Sequence, residues 1–101
     1  MKEEQYDFNV EKNHLLKEER NISFEEVIAV IQNGGLLDVV SHPNQYKYPH
    51  QQMYVIDIDG YVYLVPFVRK DQENVFLKTI FKSRKMTKQY LSEKHGGNHH
   101  E

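Results

Sequence analysis

A chain of 101 residues with 39% hydrophobic and 12% aromatic residues has material for one core and not two, so a single small domain is expected. The absence of cysteine excludes disulfide scaffolds, cysteine zinc sites and thiol nucleophiles and suits a cytoplasmic protein, and no apolar run nears the ~20 residues of a membrane span. The net charge of −2 hides a division: residues 1–68 hold 5 Lys and Arg against 11 Asp and Glu, whereas residues 69–101 hold 8 against 4. An acidic front and a basic back is the asymmetry expected when one face meets a polyanion.

In chain order, Met1 to Gln5 has no signal-peptide character, and Gln5 to Val10 alternates enough for a short first strand. A helix is expected from Val10 to Arg20, with Asn9 as its N-cap, Glu11 at the positive end of its dipole and Asn21 closing it in the left-handed region. Ser23-Phe24-Glu25-Glu26 is a capping box, and Phe24, Val27, Ile28 and Ile31 then fall at helical spacing up to the stop at Gly34-Gly35. Leu36 to Val40 reads as a strand. His42 to His50, with two prolines, reads as a surface loop.

Gln52–Ile58 and Tyr61–Val65 form a hairpin about Asp59-Gly60, and Pro66, which has no donor for a ladder, puts the second strand at an edge or at a bulge. Asn74 to Lys82 reads as one strand, with Val75, Leu77, Thr79 and Phe81 on one face and Phe76, Lys78, Ile80 and Lys82 on the other. Ser83 then caps a short helix to Leu91 that carries Arg84, Lys85 and Lys88. Residues 92–101 are expected to form a disordered tail. The fold class is α+β: two N-terminal helices packed on an antiparallel sheet of about four strands, the other sheet face open, and a short C-terminal basic helix, all in one domain over residues 1–91.

Arg69, Lys78, Lys82, Arg84 and Lys85 gather at strand ends and at a helix entry, where Arg offers a fork for phosphate and Lys a point charge. A wet sheet face carries lysines without any ligand, so the clustering rather than the residue type is the argument. Tyr46, Tyr48, Tyr54, Tyr61 and Tyr63 can stack on unpaired bases or serve as ordinary strand residues. The six histidines have no regular ligand spacing, and an Asp-Gly hairpin tip accounts for Asp59, so neither a metal nor another cofactor is expected.

Phe8-Asn9-Val10-Glu11-Lys12, then Asn21-Ile22-Ser23-Phe24-Glu25-Glu26, then Lys82-Ser83-Arg84-Lys85-Met86-Thr87 resemble the BrnT family of bacterial toxins over roughly Tyr6 to Leu91. That family opens with an aromatic and Asp-Pro-x-Lys, reaches Lys-His-Gly-[Ile/Val]-Ser-Phe-Glu-Glu at a fixed spacing, and ends its late strand in a Ser-Ala-Arg-[Lys/Arg]-Ala-Thr run. Asn9-Val10 and Glu19-Arg20-Asn21 depart from it, which makes this a divergent branch. The resemblance implies a RelE-like fold, inhibition of translation by metal-independent RNA cleavage, a ribbon-helix-helix antitoxin as partner, and RNA, including ribosome-associated mRNA, as target.

On that reading Arg84, Lys78, Lys82 and Arg69 are the candidate catalytic cations. Lys12, Arg20, Lys85, Lys88, Tyr63 and Tyr90 are the candidate RNA contacts, and Tyr63, Tyr90 and His14 are candidates for the proton transfers. Two other readings remain at this point. One is a non-catalytic protein of the same fold that binds an antitoxin or nucleic acid and regulates its own operon. The other is a small interaction domain whose basic helix meets an acidic protein.

Overall fold

The structure, a computed structural model, describes residues 4–91; the expected tail lies outside these residues. Strand β1 (Gln5–Phe8) leads into helix α1 (Val10–Arg20) and helix α2 (Phe24–Gln32). Strands β2 (Leu36–Ser41), β3 (Gln52–Ile58), β4 (Tyr61–Arg69), β5 (Asn74–Leu77) and β6 (Phe81–Lys82) follow, and helix α3 (Arg84–Tyr90) closes the described chain. No helix among the described residues is long and apolar enough to cross a membrane.

The helix ends follow the capping chemistry. Asn9 accepts from the Lys12 amide, Ser23 from the Glu26 amide and Ser83 from the Met86 amide. Asn21 ends α1 in the left-handed region at φ 58°, where its amide reaches the carbonyls of Leu16 and Lys17. The β3–β4 hairpin turns through Asp59 (φ 55°) and Gly60 (φ 82°), with the Asp57 carboxylate accepting from the Gly60 amide at 2.9 Å. The loop from His42 to His50 lies at the surface as expected, and Tyr46 at its tip is 100% exposed.

The sheet differs from expectation in strand number, in strand direction and in its second face. It has six strands, in the order β1-β5-β4-β3-β2 with β6 also on β4, and it is mixed, because β1 runs parallel to β5. Nor is its second face open. Tyr54, Ile56, Val65, Phe67, Val75, Leu77 and Ile80 meet Leu16, Ile22, Phe24 and Val27 in a core under α1 and α2. On the other face Met53, Val55, Val62 and Leu64 pack with Leu91, Met86, Tyr90 and Val40, so α3 caps a second, smaller core. Thr87 fixes that helix: its hydroxyl accepts from the Val62 amide (2.8 Å) and donates to the Ser83 carbonyl (2.7 Å).

Pro66 sits in the middle of the central strand, buried opposite Met53. Its carbonyl takes the Lys78 amide at 2.8 Å, but it has no N–H to return the bond, so the β4–β5 ladder stops there. Pairing resumes at Leu64 with Phe81, and Thr79 and Ile80 face Val65 alone. Pro66 is expected to put its own strand at an edge or a bulge; instead β4 stays central and the neighbouring strand takes up one extra residue. The slip reverses the expected alternation. Ile80 is fully buried with Val75 and Leu77, Phe81 is 37% exposed, and Lys78 and Lys82 lie on opposite faces.

Candidate functional site

The slip that separates the two lysines also assembles a groove. Lys82 is the register partner of Tyr63, on the face covered by α1, and its ammonium stands 5.1 Å from the Tyr61 ring centre. Tyr61 and Tyr63 alternate onto that same face and meet edge to face, with ring centres 6.2 Å apart. From across the gap comes Arg20, the last residue of α1. Its guanidinium donates to the Ile80 carbonyl at 2.6 Å, so the interrupted strand orients the cation. Two adjoining cavities, of about 540 and 490 Å³, share Arg20, Asn21, Ile22, Tyr63 and Lys82 in their walls. Glu18 and Glu19 line one of them, and Glu26, Asp59 and Tyr61 the other.

Chemically the groove offers two cations, two phenols and four carboxylates around a floor of Ile22, Ile58 and Ile80. Cations there can offset charge on a phosphoryl oxygen, carboxylates can accept a proton, and phenol rings can stack on a base.

Of the residues singled out by sequence, Arg20, Lys82, Tyr61 and Tyr63 converge on this groove. The others do not line it. Arg69, at the far end of β4, donates to the Glu4 carboxylate at 2.5 Å and to the Gln72 carbonyl at 3.5 Å. Lys78 stands 5.6 Å from the centre of the Phe76 ring on the other face of the sheet. Arg84, Lys85 and Lys88 are exposed on α3, over the second core, and Tyr90 donates from there to Asp38 at 2.7 Å. Lys12 lies in the first turn of α1 and His14 on that helix's exposed side. The shared basic surface expected of Lys78, Lys82, Arg84 and Lys85 is therefore divided between the two faces.

Sequence reasoning missed Glu18, Glu19, Glu26 and Asp59 as groove residues. Each already had a local explanation: two helix residues just before Arg20, a capping-box member, and a turn former. Only the fold lines one groove with these carboxylates and Lys82.

A second polar cluster pins the start of β1. Glu4 accepts from Arg69, from Tyr6 (3.0 Å) and from Tyr54 (3.2 Å). Burial raises the Glu4 carboxyl, but the Arg69 and tyrosine hydrogen bonds outweigh it and hold Glu4 below the usual carboxylate range. Burial first, and then the Glu4 hydrogen bond, pushes the Tyr6 phenol up to about 12, and Tyr54 also shifts up. This cluster braces the fold. Among the described residues, no group of three or more His, Asp or Glu side chains is placed to hold a metal ion. Comparison with protein-family models, characterised proteins and solved structures gives no match.

Proposed function

We propose that this protein is the ribonuclease toxin of a type II toxin–antitoxin pair, a divergent relative of BrnT with a RelE-like fold, and that its chemistry runs in the groove at the end of α1. One observation carries the reading. Arg20, Lys82, Tyr61 and Tyr63, drawn from three separate elements, converge on one groove, with Arg20 anchored on a backbone carbonyl.

In the cleavage proposed, the 2′-hydroxyl of RNA attacks the adjacent phosphorus and the bond to the 5′-oxygen breaks. The products are a 2′,3′-cyclic phosphate and a 5′-hydroxyl. Arg20 and Lys82 offset the charge that builds on the phosphoryl oxygens. A groove carboxylate, Glu19 or Glu26, takes the 2′ proton, and the Tyr63 phenol protonates the leaving oxygen. Tyr61 offers a ring to an adjoining base. The working compartment is the cytoplasm and the partner a ribbon-helix-helix antitoxin.

Inducible expression with and without such an antitoxin tests the reading, alongside RNA cleavage by purified protein in the presence of a chelator. Arg20→Ala and Lys82→Ala are each expected to slow cleavage ~100-fold or more, the usual cost of losing one oxyanion-stabilising group, and to relieve growth arrest. Arg84→Ala is expected to retain both. The opposite pattern would move the site to α3.

One observation favours a second reading, a non-catalytic antitoxin- or nucleic-acid-binding protein of the same fold. The groove's two cations face four carboxylates, and Arg20 already has a partner in the Ile80 carbonyl. Intact RNA and unimpaired growth, with tight binding of nucleic acid or antitoxin, would decide for it.

A further inference from the structure

The face of the sheet opposite α1 and α2 is covered by α3 only in part. Beyond α3, along β4 and β5, Val68 and Phe76 stand side by side in register and point away from the first core, being flanked by the buried Phe67, Val75 and Leu77. Two lysine ammoniums lie near the Phe76 ring, Lys70 at 5.2 Å and Lys78 at 5.6 Å from its centre. Val68 also walls a cavity of about 210 Å³ with Tyr48, Pro49, His50 and Gln51 of the long surface loop. The Tyr48 ring in turn lies 5.5 Å under the Lys47 ammonium and 4.4 Å from the His42 ring. Three of the four lysine–aromatic contacts of the described residues thus fall along one strip, from Lys47 to Lys78. Asp7 is the register partner of Phe76 on β1, and its carboxylate accepts from the Phe8 amide at 2.9 Å.

We infer that this strip is a second contact surface for single-stranded RNA, separate from the groove, in which Phe76 and Tyr48 stack bases and Lys47, Lys70 and Lys78 meet phosphates. The ligand class follows from the chemistry. Alternating cations and flat rings match the alternating phosphates and bases of an unpaired strand. A duplex hides its base faces. The cavity is below the ~300–1,000 Å³ of drug-sized ligand pockets, which suits the edge of a single ring. The strip depends on the ribonuclease reading only for the choice of RNA over other single strands. It also gives Lys78 a use that the groove does not.

The test is fluorescence anisotropy of the full chain with a labelled single-stranded RNA of mixed sequence, titrated at several salt concentrations. A duplex of the same sequence and polyglutamate serve as competitors. Phe76→Leu keeps an apolar side chain in place, and circular dichroism melting checks that it folds. It is expected to weaken binding about tenfold through lost stacking. Lys70→Ala with Lys78→Ala is expected to weaken binding and to lower the salt slope by ~1.4, about 0.7 for each phosphate contact on a single strand. Unchanged binding in both variants overturns the strip, and so does competition by polyglutamate or duplex as strong as by the single strand. If only Arg20→Ala with Lys82→Ala removes binding, the strip falls and the ribonuclease reading stands. Binding through the strip without any cleavage overturns the ribonuclease reading alone.

Discussion

Asn13 is the residue on which the two N-terminal helices depend. It is 4% exposed; its side-chain carbonyl accepts from the Phe24 amide at 2.8 Å and its amide donates to Glu25, also at 2.8 Å. One side chain from the first turn of α1 thus satisfies an amide at the start of α2, a group that helix geometry leaves without an internal partner. Asn13→Ala strands that amide in the core and is expected to cost about 2 kcal/mol in a denaturant melt. Asn13→Asp keeps the acceptor but sets a carboxylate against Glu25, so its loss should ease as the pH falls through the carboxylate range. Glu4 sets a second pH dependence. Its folded pKa is depressed, so its contribution is complete above the ordinary value of 4.5 and is lost as pH falls through the folded value. Glu4→Gln is expected to lower stability by about 1 kcal/mol at neutral pH, a figure reduced for solvent screening at a partly exposed pair, with the gap to the parent closing as the pH falls below the ordinary value of 4.5. Thermal melts of both proteins across that range check the sign.

At the scale of elements, α3 is held as much by polar contacts as by its few apolar side chains. Thr87→Val keeps the volume but removes the acceptor for the Val62 amide, and it is expected to cost about 1–2 kcal/mol and to raise hydrogen exchange along α3 first. The elements themselves were largely legible in the sequence. Asn9, Ser23, Ser83 and Asn21 marked helix ends through their own side-chain chemistry, and Asp59-Gly60 marked the hairpin. Facing was not legible wherever it depended on the neighbouring strand. Alternation from Val75 to Lys82 held only until Pro66, on another strand, ended the ladder, and nothing local to Thr79 or Ile80 announces the extra residue. The second core was hidden for a related reason. Met86, Tyr90 and Leu91 are too few to mark a buried helix face in the sequence, and only topology sends them to the far face. The groove was half legible: its cations could be named by type, but its carboxylates already had local explanations.

Across the whole molecule, the parallel pairing of β1 with β5 joins the first strand made to one of the last. A ribosome synthesising this chain releases Gln5–Phe8 early, yet the strand that receives them is not made until Asn74–Leu77. Until then the main core lacks Val75, Leu77 and Ile80, and the second core lacks Leu91. A chain ending at Arg69 is therefore expected to be cut rapidly by protease, and one extended to Leu91 to resist it, with little gained at intermediate lengths. Such non-local closure slows folding, because the entropy of a long loop is lost before the contacts that compensate it form. The groove follows the same timetable. Arg20 waits for the carbonyl of Ile80 and for Lys82 beside it, so a nascent chain on the ribosome carries an unfinished site until its final third has left the exit.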